Sequence, residues 1–361
     1  MLEKRHTRLF RDISRKVVAG ERLSREDGFS LMECDDIFYL GTLANQLREK
    51  KNGSYTYYNI NAHVNPSNIC INSCRFCAFS RKEGDQDAYD LSLEEIIGKA
   101  REAVTGRTTE LHIVGGVHPH KDLGFYTTVL STIKKTFPYI HLKAFTVTEI
   151  QHMAELAGVC FEDALKELKA AGLGSIPGGG AEIFSSRVRK KLCPNKISGG
   201  QWLELHRITH SLGIRSNATM LYGHIETPEE RIDHLLRLRD LQQETGGFLA
   251  FIPLAYHPYN TALGGEKTTG FLDLKVHAVS RILLDNFDHI KAYWIMTGPD
   301  MAQILQSFGV DDLDGTVTEE KITHAAGATT PVSLDEEYLR HLIFSAGRIP
   351  MERNTLYEAI G

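Results

Sequence analysis

The chain has no apolar run approaching the roughly 18 consecutive residues that a membrane-spanning helix needs. It has no basic block either. Lys and Arg number 41 against 46 Asp and Glu, for a net charge of −5, so neither nucleic acid nor a membrane is an expected partner. The opening residues Met1-Leu2-Glu3-Lys4-Arg5-His6 carry charge with no apolar core behind them and do not read as a secretory signal. No G-x-G-x-x-G follows the first strand-like run, which argues against a dinucleotide fold. H-E-x-x-H is missing, and so is the second C-x₂-C pair of a zinc-knuckle protein. No short repeat or low-complexity linker divides the chain. What remains is ordinary globular composition, 42% hydrophobic and 24% charged over 361 residues, enough for one large barrel or two modest domains. The expected compartment is the cytoplasm, where thiols stay reduced.

Against these absences stands one concentration. Three of the six cysteines lie in Asn68-Ile69-Cys70-Ile71-Asn72-Ser73-Cys74-Arg75-Phe76-Cys77-Ala78-Phe79, with the spacing C-x₃-C-x₂-C. Thiolate is the usual ligand of an iron–sulfur cluster. Three local thiolates can hold three irons of a four-iron cluster and leave the fourth open to a small molecule, as a catalytic metal must be. Cys34, Cys160 and Cys193 are scattered and read as inert buried thiols.

Strand-like apolar runs alternate with amphipathic stretches, the pattern of parallel βα units. Strands are expected near 57–64, 111–114, 141–146, 174–176, 215–222, 248–254, 290–296 and 310–313. Ser92 and Glu95 form a capping-box pattern at one helix start, and Thr227 with Glu230 another. Eight units predict an α/β fold, a (β/α)₈ TIM-type barrel over residues 51–361 with C-terminal helices, capped by a helical segment over 1–50. A doubly wound sheet is the alternative.

In such barrels the chemistry sits at the carboxyl ends of the strands. The cysteine loop follows the first strand, so other polar and glycine-rich strand ends should converge on it. Gly115 and Gly116 end the second strand and allow close backbone approach. Thr148 and Glu149 follow the third; they suit a ribose diol or a zwitterion, or equally a helix N-cap and its first-turn acid. Gly178, Gly179 and Gly180 follow the fourth and permit dense backbone donors around an anion. Glu182 beside them is either catalytic or structural. Arg187 to Lys191 is a solvated basic face or a counter-charge for a substrate carboxylate. Tyr222 and Gly223 end the fifth strand. His257, after the sixth, and His63 with Asn65, after the first, are either acid–base groups or structural. Arg281, Lys291 and Trp294 are candidates to hold an acidic aromatic substrate. Glu320 and His324 share a helix face, but one histidine alone does not make a second metal site.

The cysteine spacing resembles the radical S-adenosylmethionine (radical SAM) superfamily. Val114-Gly115-Gly116-Val117 is similar to its GGE segment with Val117 in place of the acid, and Gly223 and Glu226 match the later positions of its G-x-I-x-G-x-x-E segment. More narrowly, His63 through Phe79, Ile176 through Phe184, Leu192-Cys193-Pro194-Asn195-Lys196, and Asp314 through Ala328 resemble the aminofutalosine synthase family of the futalosine route to menaquinone. Its sisters are cyclic dehypoxanthinylfutalosine synthase and the radical SAM synthase of the deazaflavin cofactor.

The resemblance implies a [4Fe–4S] cluster on Cys70, Cys74 and Cys77. It implies S-adenosylmethionine held among Phe76, Gly115, Gly116, Thr148, Glu149, Gly178, Gly179, Tyr222 and Gly223, with His63, His257 and Glu182 as candidate catalytic groups. The implied substrate is 3-[(1-carboxyvinyl)oxy]benzoate, whose double bond takes up the 5′-deoxyadenosyl radical; aryl migration and loss of the carboxyl group give 6-amino-6-deoxyfutalosine. A flavodoxin or ferredoxin is the implied electron donor. The alternatives are a hydrogen-abstracting radical SAM enzyme and a non-catalytic iron–sulfur protein.

Overall fold

Helix starts are set locally. Ser24, Ser92, Thr146, Ser198 and Thr227 each cap a helix with a reciprocal bond from the residue three places on, closing capping boxes. The described residues hold ten strands: β1 Tyr55–Asn59, β2 Asn61–Val64, β3 Glu110–Ile113, β4 His141–Ala144, β5 Leu173–Ile176, β6 Arg215–Tyr222, β7 Phe248–Ala255, β8 His289–Ile290, β9 Asp312–Gly315 and β10 Ile349–Glu352. The structure is a computed structural model and describes residues 2–360.

Strands β2 to β8 form one seven-stranded parallel sheet in sequence order. The helices between them lie on its outer face, so strands such as β6 are buried at every position but the first. The sheet curls into the expected α/β, TIM-type architecture, but with seven strands rather than eight: the eighth expected, near 310–313, is β9, which lies outside this sheet. Its two edges are spanned by one irregular segment: Asp312 bridges Lys291 just beyond β8, and Thr318 bridges Ala62 in β2. A second sheet, β10-β1-β9, sits at the amino end of the strands, because β1 runs directly into β2.

Three departures from the expected strands have local causes. The run 57–64 is two strands in different sheets, broken at Ile60, where Asn59 carries a register shift against Gly315. The run 290–296 is extended only through Ile290. Its apolar remainder turns into the helix Trp294–Thr297, and the buried Trp294 indole donates to the Gly315 carbonyl at 2.9 Å; a short apolar run does not distinguish strand from buried helix. The C-terminal part holds the helix Glu336–Ser345 but ends in β10, a strand the sequence pattern did not indicate. At the N-terminus the helices Arg25–Met32 and Ile37–Asn52 pack on the outer helices Pro228–Thr245 and Gly270–Leu283.

Candidate active site

A cavity of about 310 Å³ opens at the carboxyl ends of the seven strands. Cys70, Cys74 and Cys77 all line it, and all three are free thiols. Their loop is held by backbone bonds. Ile71 N–H donates to the Val117 carbonyl at 2.9 Å, Arg75 N–H to Leu192 at 2.8 Å, and Leu263 N–H to Arg75 at 2.7 Å. The Val117 N–H points at Cys70 Sγ, 3.3 Å away. Burial raises the Cys70 thiol and pushes that of Cys74 up to about 12. A multiply charged metal centre reverses that preference and holds such thiols as thiolates. Among the described residues no group of three or more His, Cys, Asp or Glu closes around a single ion position, as a zinc site would require. Three free thiols from one short loop, lining one cavity, are a donor set whose chemistry suits an iron–sulfur cluster.

Gly115 and Gly116 line the cavity, but their missing side chains serve the neighbouring loop. A Cβ on Gly116 would stand 2.1 Å from the Ile69 carbonyl oxygen, and one on Gly115 2.8 Å from that of Ser67. Close packing of this turn on the cysteine loop therefore demands glycine. Glu149 ties the same turn down. It accepts from Gly115 N–H at 3.1 Å and from Thr146 N–H at 2.7 Å. Burial is the dominant influence on this carboxyl and lifts it to about 7 against those bonds. Thr146, not Thr148, caps the helix Val147–Ala157. Thr148 instead presents a buried hydroxyl without a partner to the cavity wall.

The buried Glu182 and the largely buried Lys196 form an ion pair of 2.7 Å on the same wall as Gly178 and Gly179. Burial alone would raise the Glu182 carboxyl; Lys196 outweighs it and holds it below its usual value. The ammonium also lies 5.4 Å from the Phe76 ring centre, a cation–π contact beside the cysteines. His257 lines the cavity and donates from Nε2 to the Met296 carbonyl at 2.9 Å, which leaves Nδ1 as a buried acceptor with no partner. His63 lines the cavity floor with Nε2 likewise unpartnered.

Other expected residues lie elsewhere. Tyr222 points away from the cavity to Asp273, 2.7 Å distant, and a Cβ on Gly223 would meet Thr268. Strand alternation turns Thr219 and Leu221 inward in their place. Arg281 is wholly buried and binds Asp311 and the Gly309 carbonyl. Lys291 pairs with Asp314 at 2.7 Å, and Trp294 belongs to the core. Asn65 donates to the Val114 carbonyl at 2.8 Å, and the exposed Arg187 pairs with Glu230. Glu226 is held by Arg231 and His224 as a structural acid.

Lys196, His112, Lys143 and Tyr293 also line the cavity. Sequence reasoning did not single these out as site residues. Only Lys143 carried a signal: a lysine inside a strand that is otherwise buried.

Residues 64–238 match the radical SAM superfamily, and residues 245–360 match the CofH/MqnC C-terminal region. The FeFe-hydrogenase maturase HydG from Carboxydothermus hydrogenoformans shares the fold at a TM-score of 0.75 and 18% identity, covering 98% of this chain and 82% of that one. Methylornithine synthase (PylB) does so at 0.75 and 16%, covering 94% and 97%. The protein is thus a radical SAM enzyme, and a [4Fe–4S] cluster and S-adenosylmethionine are its cofactors. Aminodeoxyfutalosine synthase of Thermus thermophilus is 47% identical over 96% of this chain and 95% of its own length, and that of Streptomyces coelicolor 45% over 98% and 94%. A 5-amino-6-(D-ribitylamino)uracil–L-tyrosine 4-hydroxyphenyl transferase of Methanosarcina barkeri is 40% identical over 98% and 95%. Within the superfamily the chain belongs to the aminodeoxyfutalosine synthase family. No helix among the described residues is long and apolar enough to cross a membrane.

Proposed function

We propose that this chain is a cytoplasmic enzyme of menaquinone biosynthesis. It joins the adenosyl C5′ of S-adenosylmethionine to the vinyl carbon of 3-[(1-carboxyvinyl)oxy]benzoate and yields 6-amino-6-deoxyfutalosine with loss of the carboxyl group. Residues 51–361 act as the catalytic unit and 1–50 as its helical cap, with a flavodoxin or ferredoxin as electron donor. The observation that carries the reading is the cysteine triad lining one cavity together with His63, His112 and Lys143.

Cys70, Cys74 and Cys77 would hold the cluster, which when bound and reduced would supply the electron for cleavage of S-adenosylmethionine. The chain's own task is placement and exclusion. Phe76 and Phe79 line the cavity beside the cysteines and Ala78 is buried next to them, so water is kept from a radical that would strip hydrogen from weak donor bonds. Lys196, charged and braced by Glu182, faces the carboxylate of the methionine moiety. The free Thr148 hydroxyl and the turn at Gly178 and Gly179 meet the ribose, and Thr219 and Leu221 pack on the adenine. His257 Nδ1 accepts a hydrogen bond from a hydroxyl or amino group of S-adenosylmethionine, since the enolpyruvyl benzoate carries no donor. Together they hold the reacting carbons in near-attack contact.

The test is anaerobic reconstitution with iron and sulfide, then incubation with S-adenosylmethionine, dithionite and the enolpyruvyl benzoate. Mass spectrometry should find an adenosyl adduct lacking one carboxyl. Free 5′-deoxyadenosine as the sole nucleoside would instead mean hydrogen abstraction, the mode expected of a sister enzyme.

A further inference from the structure

His63, His112 and Lys143 stand side by side in register on β2, β3 and β4. All three face the cavity. Interior layers of such barrels are ordinarily bulky aliphatic side chains, so a row of three nitrogen groups calls for a reason. Lys143 has one in its 2.7 Å pair with Glu110. The histidines do not. Nε2 of His63 and Nε2 of His112 are both buried, and neither has a hydrogen-bond partner. The rings meet edge to face with centres 4.6 Å apart, and both residues line the cavity side by side. Burial keeps both imidazoles below their ordinary pKa, so each is neutral and carries a single N–H.

The charges around this spot are already matched. Glu110 is bound by Lys143, Asp314 by Lys291 at 2.7 Å, and Glu320 by His324 at 3.0 Å. An incoming anion therefore meets no unbalanced carboxylate. It meets two neutral imidazoles lining the cavity, each with one N–H that no group of the protein accepts.

We infer that His63 and His112 form a carboxylate-binding subsite that receives the ring carboxylate of an aromatic acid substrate. The inference rests on the substrate reading above and adds an orientation to it. The histidines lie inside the strands, whereas the cysteines follow the strand ends. A benzoate anchored by its carboxylate at the floor directs its meta-oxygen substituent, and so the vinyl group, toward the mouth where the cysteines stand. His63 and His112 are then positioning residues.

The test uses the reconstituted protein without S-adenosylmethionine. Calorimetry follows binding of benzoate, 3-hydroxybenzoate and the neutral isostere benzamide to wild type, His63→Phe and His112→Phe. Each variant should weaken benzoate at least about tenfold, as expected for loss of a bond to a charged group. Benzamide should bind more weakly to wild type and be little affected. Unchanged benzoate affinity in both variants, or wild type preferring benzamide, overturns the subsite. Should a variant fail to fold, the ring-nitrogen NMR signals of histidine-labelled wild type decide the matter. They must shift with benzoate and not with benzamide, and silence there overturns the subsite equally. Adduct formation is scored separately. If no adduct forms but the histidines still govern benzoate binding, the reaction is misassigned and the subsite stands.

Discussion

Lys196 Nζ lies 2.7 Å from Glu182 Oε1, a buried carboxylate beside the cysteine loop, with the lysine side chain 15% exposed. The pair joins the turn after β5 to the segment after the helix Ser186–Leu192, and the Arg75–Leu192 backbone bond links that segment to the cysteine loop. Losing one partner of a buried pair leaves the other charge unpaid. Lys196→Met should therefore destabilise the chain by about 3–5 kcal/mol. The double variant Lys196→Met with Glu182→Gln should recover most of that loss. Urea unfolding of wild type, Lys196→Met, Glu182→Gln and the double variant measures the coupling. Additive losses would mean that the two side chains do not act as a pair.

Cys74→Ala should remove cluster assembly and turnover together, since each of the three thiols is needed to hold a corner of the cluster. Iron and sulfide analysis after reconstitution reads the first, and adduct formation the second. Full iron content in that variant contradicts the ligand assignment.

Gly116→Ala adds one methyl group, yet that carbon would meet the Ile69 carbonyl oxygen at 2.1 Å, and backbone cannot swing aside like a side-chain end. The variant should fold, because the strain lies in two loops above the sheet. It should, however, lose most of its iron uptake, since Ile69 immediately precedes Cys70. Gly124→Ala, where a Cβ meets nothing closer than 3.5 Å, is the control and should take up iron like wild type.

Glu149 gives a pH prediction. Its carboxyl is raised to about 7 in the folded chain, chiefly by burial, against a usual value of 4.5. Between those two pH values the folded state binds more protons than the unfolded one, so stability falls as pH rises from 4.5 through about 7. The loss is of order 3 kcal/mol at most. Glu149→Gln keeps the shape and removes the titration. The urea midpoint of wild type should fall across this window relative to the variant, and parallel pH curves would exclude the carboxyl as their cause.

Much of this chain was legible from residue order. β6 runs over Arg215–Tyr222 as the apolar pattern indicated, and the capping boxes at Ser92 and Thr227 form as written. These features depend on neighbours within a few residues, so local chemistry decides them. The misplacements share a different cause. Tyr222 and Leu221 are equally apolar and adjacent, and only the direction of the strand's pleat sends one to Asp273 and the other to the cavity. Arg281, a candidate to hold an acidic substrate by residue type, is instead taken up by Asp311, a buried partner on a distant segment. Lys196 lies far along the chain from Cys74, with no pattern connecting them before the turn after β5 brings them together.

Residue order by itself determined the thiol spacing, the alternation of strand and helix, and hence the superfamily, because each is a short-range relation along a covalent chain. The tertiary structure alone decided what the cavity floor contains. His63, His112 and Lys143 come from three separate strands and form a row only because parallel pairing sets their register. That register is chosen by burial of the outward-facing residues of those strands, a property of the packed sheet that no single segment carries.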